Sequence, residues 1–183
     1  CALRGKLDVL SGNFVEQMLT EIREPAELLR GMLSPCVAPT LGLEDYPHLK
    51  TSLEILIPFL RASLQQQRKG VNFFMYGPPG TGKTELARQL ATLTEVPLFE
   101  VASEDEDGDP VNGERRLRSY RAAQSFLSCR PALLLFDEVE DVFNDGSELW
   151  GRKSTAQSRK AWMNRMLEEN PAPAIWLSNT AHG

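Results

Sequence analysis

Apolar residues gather in four short runs, at 71–76, 96–101, 132–136 and 174–177, each bounded by polar or turn-forming positions. Runs this short, apolar at nearly every position, read as strands buried on both faces of a parallel sheet. Helical spacing fills the gaps, beginning at Glu85-Leu86-Ala87-Arg88-Gln89-Leu90-Ala91 and returning over 114–128 and 155–169. The order strand, helix, strand, helix, strand, helix, strand predicts a doubly wound α/β sheet with right-handed crossovers. No internal repeat is evident.

Upstream, Phe14, Met18, Leu19, Ile22, Leu28 and Leu29 keep a helical rhythm through residues 1–31. Pro35 and Pro39 in Ser34-Pro35-Cys36-Val37-Ala38-Pro39 disfavour helix, which predicts a linker and a division into an N-terminal helical segment, 1–40, and an α/β domain, 41–183. Over 50–67, Leu53, Ile57, Leu60 and Leu64 share one helical face, and Pro58 is expected to kink that helix or end it early. Gly70 leads into the first strand.

Composition narrows the class. With 183 residues and 42% hydrophobic content the chain can bury one good core, and its net charge of −5 disfavours a general nucleic-acid or anionic-membrane surface. No window approaches 18 consecutive apolar residues, so no helical membrane span is expected. Cys1, Cys36 and Cys129 form no C-x-x-C pair and no disulfide framework, so they read as small buried hydrophobes in a reducing, cytoplasmic compartment. His48 and His182 have no partner pattern. The first residue is Cys1 rather than Met, and the chain reads as a piece of something longer.

The chemistry concentrates at three strand ends. Gly77-Pro78-Pro79-Gly80-Thr81-Gly82-Lys83-Thr84 follows the first strand, precedes the Glu85 helix, and fits G-x-x-x-x-G-K-[ST]. Glycines let successive backbone N–H groups turn onto a triphosphate, and the helix N-terminus adds partial positive charge. Lys83 is expected to reach the β and γ phosphates, and Thr84 to ligate Mg²⁺. Leu133-Leu134-Leu135-Phe136-Asp137-Glu138 ends an apolar strand in two acids at the same sheet edge. Asp137 suits the Mg²⁺ shell, and Glu138 suits a carboxylate that takes a proton from an attacking water. At the end of the last run, Asn179 can donate and accept hydrogen bonds toward a γ phosphate and the lytic water.

Together these motifs, in this order, closely resemble those of the AAA+ ATPases over about residues 41–183. The resemblance implies Walker A at Gly77 to Thr84, Walker B at Leu133 to Glu138 and sensor 1 at Asn179, on a sheet of strand order 5-1-4-3-2. It also implies ATP as nucleotide, a cofactor contact along Gly77 to Glu85, and a ring, commonly a hexamer, acting on a protein substrate. After sensor 1 a family member continues into a fifth strand, an arginine finger and a helical lid, whereas this chain stops at Gly183, so the fifth strand is expected to be missing.

Other departures bear on function. The segment Ser103-Glu104-Asp105-Glu106-Asp107-Gly108-Asp109-Pro110, where threading members of the family carry an aromatic pore loop, has no aromatic and reads as a flexible, solvated acid run, or as an acidic pore loop for a basic partner. Arg115, Arg116, Arg118 and Arg121 read as a solvated helix face, or as the helix that lies at ring interfaces in the family. Gly151-Arg152-Lys153 with Arg159-Lys160 could touch phosphate or nucleic acid, while Trp162, Met163, Met166 and Leu167 read as core. The leading expectation is an ATPase that remodels a protein or complex. Its rival is a regulatory ATP-binding switch with little hydrolysis, and Glu138 favours the first. A nucleic-acid motor, a GTPase lacking its Asn-Lys-x-Asp motif, and a small-molecule kinase are all disfavoured.

Overall fold

In the computed structural model the described residues are 29, 31–105, 108–140, 142 and 156–180, with the backbone alone for 156–160. The strands are β1 (Leu33–Pro35), β2 (Asn72–Tyr76), β3 (Leu98–Val101), β4 (Leu133–Phe136) and β5 (Ala174–Ser178). The helices are α1 (Lys50–Gln65), α2 (Lys83–Thr94), α3 (Gly113–Phe126) and α4 (Ala156–Glu168). Each expected apolar run supplies one strand, and each helical stretch expected from residue 50 onward supplies one helix, with bounds shifted by a few residues.

The sheet runs β1-β3-β4-β5-β2, with β2–β5, β5–β4 and β4–β3 all parallel. Counted from the strand before the glycine-rich loop, the parallel strands lie in the order 1-4-3-2, as the resemblance implies. A fifth position beyond β2 is not filled among the described residues.

Strand alternation divides the core in two. On β4, Leu134 and Phe136 join Val101, Leu117, Tyr120, Ala174 and Trp176 on one face, while Leu133 and Leu135 join Leu60, Leu90, Ile175 and Leu177 on the other. All four β4 residues are inaccessible to solvent, as a central strand covered by helices on both faces requires. Each fully buried Leu contributes about 1.5–3 kcal/mol of transfer free energy. Trp162, Met163, Met166 and Leu167 pack into the first core, as expected.

One expectation is corrected here and one is narrowed. The stretch taken as a linker begins with an edge strand, since Leu33 pairs antiparallel with Val101 and Pro35 with Phe99. Pro35 lacks an N–H and is tolerated because β1 is the outermost strand. Of the two outcomes expected at Pro58, an early end does not occur, since α1 continues to Gln65. Pro58 lies on the exposed face, where water can take the carbonyl its ring leaves without a partner. The helical rhythm of 1–28 lies outside the described residues.

A buried polar network ties the ends of the strands opposite the glycine-rich loop. The Asn170 side chain, 2% exposed, donates to the Val71 and Ala172 carbonyls at 3.1 and 2.8 Å and accepts from Asn72 Nδ2 at 3.1 Å. Asn72 Oδ1 accepts from the Trp176 indole at 2.9 Å, and Gln124 brackets Ala172 with bonds to its carbonyl and from its amide. Asn170→Ala removes three buried hydrogen bonds and leaves one Asn72 N–H without its acceptor, while the Val71 and Ala172 carbonyls keep the Ala174 amide and Gln124, so urea unfolding is expected to show a loss of about 1–3 kcal/mol.

Candidate functional site

The carboxyl ends of β2, β4 and β5 open on one edge, and all three sequence motifs meet there. Parallel pairing sets Tyr76 opposite Ser178, and the Gly77 amide donates to the Ser178 carbonyl at 3.2 Å. The loop therefore leaves the sheet already fastened to the strand that carries Asn179.

Within the loop, Gly80 and Gly82 hold φ of +77° and +81°, the left-handed region that side chains disfavour. At Gly82 space is also lacking, because a Cβ would lie 2.8 Å from the Tyr46 hydroxyl oxygen. That hydroxyl donates to the Gly82 carbonyl at 2.9 Å, and Tyr46 is only 3% exposed. Sequence reasoning gave Tyr46 no part. A buried tyrosine must find a partner for its hydroxyl, but which partner depends on the fold.

Lys83 crosses the loop mouth. Its Nζ donates to the Gly77 carbonyl at 2.8 Å, the Pro78 carbonyl at 3.1 Å and Asn179 Oδ1 at 3.1 Å. Thr84 Oγ1 donates to Asp137 Oδ2 at 3.2 Å, and the other Asp137 oxygen accepts the Glu138 amide at 2.8 Å. Glu138 is exposed and holds φ +53°. The Asn179 amide donates to Glu140 Oε1 at 2.6 Å. Burial pushes the Glu140 carboxyl up, but the Asn179 amide, its own amide, the Ser178 hydroxyl and the Lys83 charge outweigh it and leave it below its ordinary value.

The arginines of α3 separate sharply. Arg118 pairs with Glu114, Arg115 lies 3.8 Å from Asp105, and Arg121 stands over the Trp162 ring. Arg116, read from sequence as part of a solvated or interface face, is instead 2% exposed. Its guanidinium lies 4.5 Å from the Phe136 ring centre, and its Nη2 donates to the Asp137 carbonyl at 2.6 Å. Helical periodicity is the reason, since Arg116 shares its face with buried Leu117, Tyr120 and Ala123. Nearby on β3, Glu100 is pushed up chiefly by burial and then by Asp137, with Arg88 and Arg116 opposing.

Other expected residues divide as follows. The Glu85 side chain turns from the loop toward Thr40 and Arg88. The acid run is tied, with Glu104 bridging Pro110 and the Asp105 and Asp109 backbones bonded across it, while residues 106 and 107 lie outside the described set. Cys129 is exposed rather than buried, and Cys36 is half-buried. Residues 151–153, the side chains of Arg159 and Lys160, and His182 also lie outside the described residues.

The donor set fits a hard divalent cation beside an anion. A hydroxyl and a carboxylate converge at Thr84 and Asp137, both oxygen ligands. An ammonium group sits within reach of loop carbonyls it can exchange for phosphate oxygens, at a helix N-terminus. Nothing lies within 4 Å of the position a Gly80 Cβ would take, so the loop crest is open.

This is a phosphate-loop α/β domain. Residues 73–174, more than half the chain, match the ATPase family associated with various cellular activities (AAA), and the chain belongs to that family. It is similar to the ATP-dependent zinc metalloprotease FtsH 1 of Symbiobacterium thermophilum, 37% identical over 160 residues covering 83% of this chain and 25% of that protein. It is similar also to the peroxisomal ATPase PEX6 of Penicillium chrysogenum, 33% identical over 113 residues covering 57% and 8% respectively. A structure of C. elegans PCH-2 aligns with 82% of this chain and 44% of its own at a TM-score of 0.49 and 15% identity. The chain spans a quarter or less of the length of these two sequence relatives.

Glu85 makes the site's support sensitive to acid. The Thr40 amide and hydroxyl, donating at 2.6 and 2.9 Å, hold its carboxyl down to about 2, with burial opposing them and Arg88 assisting. A carboxylate depressed in the folded state adds stability that is present above its ordinary pKa of 4.5 and is lost as pH falls toward 2. Thermal unfolding of the parent and Glu85→Ala is expected to give a Tm gap that is constant above pH 5 (about one pKa half-unit above the ordinary value) and closes toward pH 2.

Proposed function

We propose that this chain binds ATP with Mg²⁺ and hydrolyses it, and that the full protein couples the cycle to remodelling of a protein or complex. The observation that carries the reading is the convergence of Lys83, Asn179, Thr84 and Asp137 at one sheet edge, with Lys83 Nζ already 3.1 Å from Asn179 Oδ1. A general anion site would use the loop and Lys83 but would not need the acids and the amide beside them.

In this reading the loop amides and Lys83 hold the phosphates, Lys83 giving up neutral carbonyl acceptors for anionic oxygens, which form stronger bonds. Mg²⁺, held by Thr84 Oγ1 and Asp137, supplies neutralisation of phosphate charge when bound. Asn179 orients the attacking water toward the γ phosphorus. Glu138 takes a proton from that water as the new P–O bond forms and the bond to the β-phosphate oxygen breaks. Exposure of Glu138 suits a residue that must meet water.

Family membership supports self-association of the full protein into a ring, and the exposed Arg115 and Arg118 on α3 suit a subunit contact. A reducing, cytoplasmic setting fits the free thiols of Cys36 and Cys129. The acid run without an aromatic argues for handling the protein substrate by means other than an aromatic pore loop.

Two substitutions test the chemistry. Lys83→Ala is expected to weaken ATP·Mg²⁺ binding by about tenfold or more, since it removes charge-assisted bonds worth about 1.5–3 kcal/mol. Equal calorimetric affinity of mutant and parent would remove the phosphate-site assignment. Glu138→Gln in the full-length protein is expected to keep nucleotide affinity and lower turnover by about 10²-fold or more. Turnover at the parent rate would assign the base elsewhere, and a parent that binds ATP without turnover would favour the regulatory switch.

A further inference from the structure

Glu138 occupies backbone that non-glycine residues rarely adopt, at φ +53°. Such a conformation persists only where the surroundings over-determine it. The peptide planes on its two sides are those ending in the Asp137 and Glu138 carbonyls, and the angle between them is set by the φ and ψ of Glu138. Arg116 reaches both. Its Nη2 donates to the Asp137 carbonyl at 2.6 Å and its Nη1 to the Glu138 carbonyl at 3.5 Å.

We infer that Arg116 is a positioning residue that clamps the backbone of Glu138 and thereby aims its carboxylate at the attacking water. The inference rests on the hydrolytic reading above and adds a residue to it. Arg116 acts through the main chain of Glu138 and needs no contact with nucleotide.

The chemistry suits a guanidinium. Its planar fork presents two N–H groups at a fixed separation and in a fixed plane, so it can hold two peptide planes at one angle, whereas a rotatable ammonium can follow them as they turn. Arg116 is itself held, with its guanidinium 4.5 Å from the Phe136 ring centre and its residue only 2% exposed. Its helix is anchored at its start, where the Asn112 side chain accepts the Arg115 amide at 2.9 Å. The far side of Glu138 is fixed as well, since the Val139 amide donates to the Leu177 carbonyl at 3.0 Å. The acid thus lies between a β5 attachment and an α3 clamp.

Arg116→Lys in the full-length protein separates positioning from mere support. It keeps the charge but replaces the rigid two-donor fork with a rotatable ammonium. ATP·Mg²⁺ affinity is expected to stay within about twofold while turnover at saturating ATP falls about tenfold or more, a share of what a general base supplies. In a Glu138→Gln background the same change is expected to cost no further turnover, because the group being aimed is gone. A crystal structure of Arg116→Lys is expected to find Glu138 outside the left-handed region. Arg116→Met, close in volume and uncharged, is expected to behave likewise.

Parent-level turnover in Arg116→Lys would overturn the inference, as would affinity falling in step with turnover, or Glu138 keeping φ near +53° in the variant. If a variant is too unstable to assay, the crystal structure of the other decides on the Glu138 backbone alone. Failure of the hydrolytic reading is seen separately, as absence of turnover in the parent, and the Glu138 backbone angle still tests the clamp.

Discussion

The parallel pairing of β2 with β5 is the constraint from which the site follows. Asn72 is set against Ala174 at one end and Tyr76 against Ser178 at the other, so the residues just past each strand, Gly77 and Asn179, emerge side by side. Side chains alternate with period two, and a slip of one position would turn Ile175 and Leu177 out of their core and carry Asn179 away from Lys83. The register is held at its far end by side chains of Asn72, Asn170 and Trp176, which bond across the two strands and the loop preceding β5. Polar groups opposite the site therefore fix the geometry of the site itself.

A second dependence runs through glycine. The loop must expose its amides, which requires left-handed backbone at Gly80 and Gly82, and a left-handed loop has little intrinsic order. Order comes from outside it. Tyr46 closes on Gly82 from the segment before α1, Thr40 holds Glu85 at the head of α2, and Ser178 takes the Gly77 amide. The chain upstream of the sheet thus serves as a brace for the loop, and its β1 strand completes the edge beside β3.

Charge is arranged in the same layered way. Lys83 faces three oxygen acceptors that are neutral, so its charge is stabilised without being cancelled and remains available to an anion. Asp137 and Glu138 are adjacent carboxylates, with an Asp137 carboxylate oxygen accepting the Glu138 amide and Arg116 bonding to the main-chain carbonyls of both. Glu140 completes the set by fixing the Asn179 main chain. The site faces solvent with its acceptors and donors oriented, while the groups that orient them lie behind in the protein.

Most of the fold was legible because two periodicities were strong. Runs such as Leu133-Leu134-Leu135-Phe136 are apolar on both faces, which only a covered parallel strand satisfies, and the glycine-rich loop has one local physical use wherever a strand leads in and a helix leads out. Residues 77–84, Asp137 and Asn179 were recognisable for that reason: their chemistry is carried by neighbours in sequence. What the sequence could not determine was every role that depends on partners far along the chain. Pro35 in an edge strand, Pro58 inside a helix, Tyr46 against Gly82, Glu85 turned to Thr40 and Arg116 beneath Glu138 are each decided by what packs alongside. Arg116 is the clearest of these, since four arginines of one helix are equivalent in composition, and only the direction in which α3 presents them to the sheet separates a buried clamp from a solvated surface. Local pattern sets which elements form and which chemistry they carry, whereas the aim of each side chain is a property of the packed interior, where distances between remote residues are fixed by excluded volume and by the need to pair every buried polar group.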